Sequence, residues 1–248
     1  SDDLRAFLAW LEVDLEEVPD DRLHNLSLQS QIRLTPDLAQ VFSIDLRLDS
    51  TRLTGGAAYA FRTRPSFSVD LDLDRLNADA YVDAKPASNV PANTVEITVP
   101  IDIVTTKVSI PVFDSFDANI KLAIGSLTAG GVVLNGLTID GTLLGGEMEM
   151  RDVRIADLSG AAIGLTGTAT GFAENIQITA NVTVDADDPA GLLRQTGLTL
   201  VGPGGVWNPL QVTGRIAGNI EAFDVDLEAV AGKTQAGISG GIEWRGRD

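Results

Sequence analysis

The residues that could do chemistry here are few. Asp70, Asp72 and Asp74 form an Asp-x-Asp-x-Asp series that invites a calcium reading. The series lacks the glycine and the closing glutamate of an EF-hand loop. Alternation with Val69, Leu71 and Leu73 explains it as the wet face of a strand. The single histidine, His24, has no evident partner, and nothing marks a nucleophile that it would activate. Asp185-Ala186-Asp187-Asp188 reads as helix-capping chemistry, with Pro189 in the first turn that follows. Gly202-Pro203-Gly204-Gly205 has no Lys-Ser or Lys-Thr after it, so it is a turn and not a phosphate cradle.

Composition narrows the field further. The chain has 248 residues, 44% of them hydrophobic, which is ample for a folded body. Aromatic residues make up only 5%, so the apolar surfaces are aliphatic and poorly suited to stacking on sugars or bases. A formal charge of −17 excludes a phosphate-backbone partner such as DNA or RNA, and it opposes adhesion to anionic headgroups without forbidding contact with acyl tails. There is no cysteine, so disulfides, thiolate metal sites and thiol catalysis are absent. No run of about 18 apolar residues is present to cross a bilayer as a helix. The abrupt start at Ser1-Asp2-Asp3-Leu4 and the strand-like end around Trp244 suggest a piece of something longer.

The elements follow from periodicity. Leu4, Phe7, Leu8 and Leu11 carry a helical spacing behind an aspartate cap. Period two begins after the acidic loop around Pro19. Strands are predicted at Leu26 to Leu34, Phe42 to Leu48, Leu53 to Phe61 and Phe67 to Leu73. Short turns between them make these four antiparallel neighbours. Arg75 to Tyr81 reads as a short link, and the two prolines of residues 85–93 make that stretch a linker. Residues 94–112 are β-rich, with Pro100 and Pro111 arguing for an edge position. From Phe116 to Thr170 glycine pairs punctuate a meander in which Ala118, Ile120, Leu122 and Ile124 share a face. Ile176 to Val184 alternates without a fault. A short helix through Leu192-Leu193-Arg194 and three more strands, Leu210 to Ile216, Ile220 to Val230 and Gln235 to Trp244, complete a mostly β chain. It has about a dozen strands and two or three short helices.

Every strand therefore has one dry aliphatic face. Such a face either packs on a second layer as an ordinary core or lines a groove filled by something apolar. Leaving Ile, Leu or Val wet forfeits about 1.5–3 kcal/mol each, so an open groove needs a regular occupant. Periodicity does not choose between the two.

The motifs do carry a resemblance. Asp49-Ser50-Thr51-Arg52-Leu53-Thr54-Gly55-Gly56, then Arg64-Pro65-Ser66-Phe67, then Asp72-Leu73-Asp74-Arg75-Leu76-Asn77-Ala78-Asp79-Ala80-Tyr81 resemble the bacterial AsmA family. So do Phe116-Asp117-Ala118-Asn119 through Gly145-Gly146, and Asp188-Pro189-Ala190-Gly191-Leu192-Leu193-Arg194. Asn77 stands where that family often has aspartate, and Lys85 to Val112 looks like an insertion or a divergent strand pair.

The resemblance implies a periplasmic segment of a protein anchored in the inner membrane of a didermic bacterium, of the bridge-like lipid transfer type. It implies a bent antiparallel sheet, forming a groove or a half-open sandwich. That sheet would accommodate phospholipid acyl chains and support lipid transport between inner and outer membranes and upkeep of the outer membrane. No catalytic residue, metal or cofactor comes with it, and the chain is expected not to be an enzyme. The expected division is residues 1–84, with the N-terminal helix and first β segment, a linker or insertion at 85–93, and a second β segment at 94–248, or one continuous β domain. The lipid-facing residues are expected to be Val69, Leu71, Ile120, Leu122, Ile124, Met148, Met150, Ile176, Ile178 and Val182. The competing expectation is a structural or adhesive surface module with a closed core and no ligand.

Overall fold

The computed structural model describes residue 4, residue 19, and residues 22–81, 111–173, 175–190, 208–219 and 222–243. The expected N-terminal helix beyond Leu4, the expected linker at 85–93, the strand segment at 94–110, the glycine-proline loop at 202–205 and the helix through Leu192-Leu193-Arg194 lie outside them.

The described chain is one open, bent sheet of twelve strands in sequence order. β1 (Leu26–Thr35), β2 (Leu38–Leu48), β3 (Thr51–Ala60) and β4 (Ser66–Asn77) form a first meander. β5 (Asp117–Ala129), β6 (Val132–Leu144), β7 (Glu147–Leu158), β8 (Ala161–Thr170), β9 (Gln177–Ala186), β10 (Leu210–Gly218), β11 (Ala222–Ala231) and β12 (Thr234–Glu243) form a second. Among the described residues helical structure is slight: residue 4, 3-10 turns at Ala78–Tyr81 and Pro111–Asp114, and residues 189–190. Each strand packs on its immediate neighbours, and no described strand crosses the face of another.

Ten strand pairings are antiparallel, and the exception joins the two meanders. β4 and β5 run parallel, with Ser66 beside Asp117 and Leu73 beside Ile124. The residues on either side of the linker thus meet in one sheet. A parallel pair cannot be closed by a tight turn, so each end of this seam is fastened by side chains instead. At the start of both strands, Arg64 Nε donates to Asp117 Oδ1 at 2.6 Å and Nη2 to the Phe116 carbonyl at 2.9 Å, while Nη1 donates to the Asp114 carbonyl. Asp117 also accepts the Gly145 amide from the β6–β7 turn at 3.0 Å. At the other end, Asp79 accepts both amides of the β5–β6 turn, Gly130 at 2.6 Å and Gly131 at 2.8 Å. Tyr81 donates to Asp49, which gathers the amides of Leu23, His24 and Asn25.

Within the first meander Asp74 ties β3 to β4, accepting the amides of Arg52 at 2.8 Å and Arg75 at 2.6 Å.

Register irregularities keep the apolar residues together. In β2 the alternating set Phe42, Ile44, Leu46, Leu48 predicts one shared face, but Ser43 adopts φ 53° and the register slips between Val41 and Ile44. This bulge puts Val41 on the dry face and turns Phe42 to the polar one, where the Arg33 guanidinium lies 5.8 Å above its ring. In β7, Met150 faces Gly141 but Asp152 faces Asp140, leaving Arg151 as the extra residue. Met148 and Met150 are out of phase with Val153 and Ile155 in the sequence, and the bulge restores them to one face.

The fasteners give the fold a defined response to acid. The amide of Gly145 and the guanidinium of Arg64 hold Asp117 below the usual carboxylate range. The Arg52 and Arg75 amides do the same for Asp74. Burial opposes ionisation at Asp49, but the amides of Leu23, Asn25 and His24 outweigh it and keep that carboxyl low. Groups with lowered folded values stabilise fully above the unfolded value of about 4 and lose that contribution as pH falls through the folded values. The melting temperature is therefore expected to hold from neutral pH to about 5 and to fall steadily below about 4. Asp117→Asn is expected to flatten that fall. A midpoint indifferent to pH between about 5 and 2.5, read by circular dichroism, would contradict the assignment.

Candidate functional site: one uncovered apolar face

Cross-strand register assembles the dry residues into rows that run the width of the sheet. One row reads Leu71, Leu122, Ile139, Val153, Leu165 and Val182 from β4 to β9, and continues through Gly214, Leu227 and Ile238. The next row contains Val69, Ile120, Gly141, Met150, Gly167 and Ala180. A third contains Leu73, Ile124, Leu137, Ile155, Ile163 and Val184. The opposite face carries Asp70, Asp72, Lys121, Asp140, Thr168, Thr179 and Asp185, together with the Arg52–Asp45 fork at 2.9 and 2.8 Å.

No ordinary core lies under these rows. Among the described residues ten apolar side chains are buried, and six of them are alanines. Of the large aliphatics only Leu4, Ile124 and Leu143 are buried. Ile120 is 37% exposed, Ile178 40% and Ile238 62%, and at the β1 edge Ile32 and Leu34 reach 72%. A fully buried residue in a two-layer domain touches 6–12 others from both sides; these have sheet neighbours on one side alone. Each such Ile, Leu or Val forgoes about 1.5–3 kcal/mol of burial.

Glycine on the dry face marks where the sheet bends. A Cβ added at Gly167 would lie 2.2 Å from the Thr179 carbonyl oxygen and 2.8 Å from the Ala180 Cα of β9. At Gly214 it would meet the Asp226 oxygen at 2.1 Å and the Leu227 Cα at 2.7 Å in β11. In both places the next strand's backbone leans over the apolar face, so the sheet curls toward it there. The depressions among the described residues open mainly on the polar side. One, of about 290 Å³, lies over the small residues Ala162 and Gly164 beside Asp152, Arg154 and Asp185. It is shallow, and no three carboxylates or histidines among the described residues converge to hold a metal.

One end of the dry face is covered. Phe67, Phe113, Phe116 and Phe172 cluster over Ala118, Leu143 and Ala169, with Met148 and Ile176 against them. Phe113 meets Phe172 edge-on at 5.0 Å between centroids and Phe116 at 6.0 Å; Phe116 lies 5.2 Å from Phe67. Alanine at 118 and 169 leaves room for the rings.

The expected lipid-facing residues therefore fall in two places. Val69, Leu71, Ile120, Leu122, Ile124, Met150, Ile178 and Val182 lie on the dry face by register. Met148 shares the face but packs against the aromatic cluster, and Ile176 joins that cluster just before β9 begins. Val153, Ile155, Ile163 and Leu165 belong to the same surface and go unnoticed in the sequence. The bulge hides the first two, and glycine and threonine dilute the others.

The polar candidates are also placed. Asp70 and Asp72 stand on the wet face, and the backbone of His24 is tied to Asp49. Against the expectation that the chain has no Gly-x-Ser-x-Gly elbow and nothing to mark a nucleophile, Gly237-Ile238-Ser239-Gly240-Gly241 has that spacing. It lies inside β12 and makes no strand-to-helix turn.

No protein-family model matches the chain, no curated protein matches it, and no solved structure matches it.

The bend makes a steric prediction. Gly167→Ala and Gly214→Ala are each expected to cost about 1–3 kcal/mol in urea unfolding, because a methyl must displace backbone. Gly237→Ala, with nothing within 4 Å of the added carbon, is expected to stay within about 0.5 kcal/mol of wild type. Equal effects at the three sites would refute the bend at Gly167 and Gly214.

Proposed function

We propose that this chain is a non-enzymatic, periplasm-facing segment of an AsmA-like protein anchored in the inner membrane. In that role it accommodates phospholipid acyl chains along its apolar face and supports lipid transport and upkeep of the outer membrane. The observation that carries the reading is the aliphatic face shared by strands in a single sheet, much of it without a second layer of described residues upon it.

Energetics favour an occupant of this chemistry. An acyl tail gains about 0.8 kcal/mol for each methylene it buries, and it asks for no hydrogen bonds and no fixed geometry. A single-layer sheet of Ile, Leu, Val and Met offers that and nothing more directional. The flexible thioether of Met150 suits an irregular chain. The acidic reverse face repels anionic headgroups, which favours tails held on the dry side over a protein lying flat on a bilayer. The conspicuous Asp, Arg and Tyr residues act as fasteners, consistent with a scaffold whose work is done by its aliphatic surface.

Native mass spectrometry after mild extraction, together with photocrosslinking from probes at Leu122 and Ile178, tests the proposal. Co-purifying phospholipid and crosslinks to its acyl part are expected. A probe at Asp70, on the wet face, is expected to give none. Protein that carries no phospholipid, and whose Leu122 and Ile178 probes capture none, would sink the proposal in favour of a structural module.

A further inference from the structure

The aromatic cluster has features that a general core would not need. It forms a second layer over one end of the dry face, and it draws four of the chain's eight phenylalanines into one spot. It lies across the starts of β4, β5 and β7 and the ends of β6 and β8, at one end of the strands and not in mid-sheet. Beside it the face is uncovered, with Ile120 and Ile178 both more than a third exposed.

The cluster is also fixed. Two of its rings, Phe113 and Phe116, belong to the short segment that precedes β5. Arg64 grips that segment at three points, the Asp114 carbonyl, the Phe116 carbonyl and the Asp117 carboxylate. Asp117 is held in turn by its own amide, which donates to the Pro65 carbonyl at 2.9 Å, and by the Gly145 amide. A planar guanidinium that satisfies two carbonyls and a carboxylate together restrains position far more than a single ion pair does.

From these observations we infer that the phenylalanine cluster is a stationary end stop for alkyl chains lying along the strands, with Arg64 as the residue that positions it. This inference rests on the acyl-binding reading above. The dry run from Ile120 to Ile124 spans about 13 Å at about 3.3 Å per residue. A chain that reaches the rings can bury no further methylenes, so retention should stop rising with length. The recognised chemistry is a saturated alkyl tail, from a phospholipid or a free fatty acid.

The test loads the purified chain with two series, free fatty acids and phosphatidylglycerols, each running from lauroyl to behenoyl. Native mass spectrometry then reads the retained species. Wild type is expected to show a length limit in at least one series. Phe113→Ala, which removes a ring, and Arg64→Ala, which frees the segment and keeps every ring, should raise retention of chains beyond the limit about tenfold relative to shorter ones. That is the equivalent of two more buried methylenes.

Arg64→Lys keeps the charge but loses the fork, so it should fall between wild type and Arg64→Ala. Circular dichroism confirms that each variant is folded. Identical length profiles in wild type and the folded variants would overturn the stop while leaving acyl binding intact. Failure of every protein to retain any alkyl chain would overturn both readings.

Discussion

The parallel seam between β4 and β5 is the constraint on which the rest of this sheet depends. Apart from the long connection between β9 and β10, the two meanders close locally, through short turns that need little beyond glycine and alternation. Joining them side by side in the same direction gives no local turn to set the register. The chain sets it with charge-assisted hydrogen bonds at both ends, Arg64 to Asp117 at one and Asp79 to the Gly130 and Gly131 amides at the other. Each bond ties a group on one meander to backbone or carboxylate on the other, across more than 50 residues of sequence. The result is that Val69 meets Ile120 and Leu71 meets Leu122, which makes one dry surface from two.

Keeping that surface dry across twelve strands calls for corrections as well as alternation. Strand twist and bend accumulate, and a strict period of two would in places carry aliphatic residues to the wet side. The bulges at Ser43 and Arg151 each insert one residue where the pattern would otherwise fail. Glycines at 167 and 214 let neighbouring backbones close in where the sheet curls. Stability here comes from ladder hydrogen bonds, from aliphatic contacts within one layer and from the aromatic cluster, because the described residues form no second sheet to share the burial. A surface built in this way has unspent hydrophobic affinity, which is the physical basis of the function proposed.

Much of the architecture is legible in the residues. Leu26 to Leu34, Phe67 to Leu73, Ile176 to Val184 and the three C-terminal strands stand out because one face is aliphatic and the other polar, and the turns between them are rich in glycine. The bulges are not legible, because an inserted residue looks like a break in periodicity. Phe42 is the instructive case. Its spacing from Ile44 places it on the dry side, yet the positive φ of Ser43 turns it to face Arg33. The aromatic cluster is equally hidden, since Phe67, Phe113, Phe116 and Phe172 lie far apart in the chain and meet only through strand order.

The sequence by itself determined that the chain is mostly β and that each strand has an aliphatic and a polar side. Those properties are local: they follow from residue type and a two-residue period. Tertiary structure alone decided that the described strands lie in a single layer, that the two meanders join in parallel through Arg64 and Asp79, and that much of the dry face carries no second layer of described residues while four phenylalanines gather over one end. Such facts depend on which strand lies beside which and on what lies over a face. Periodicity cannot encode either, because an aliphatic stripe has the same pattern whether a second sheet, an acyl chain or water lies against it.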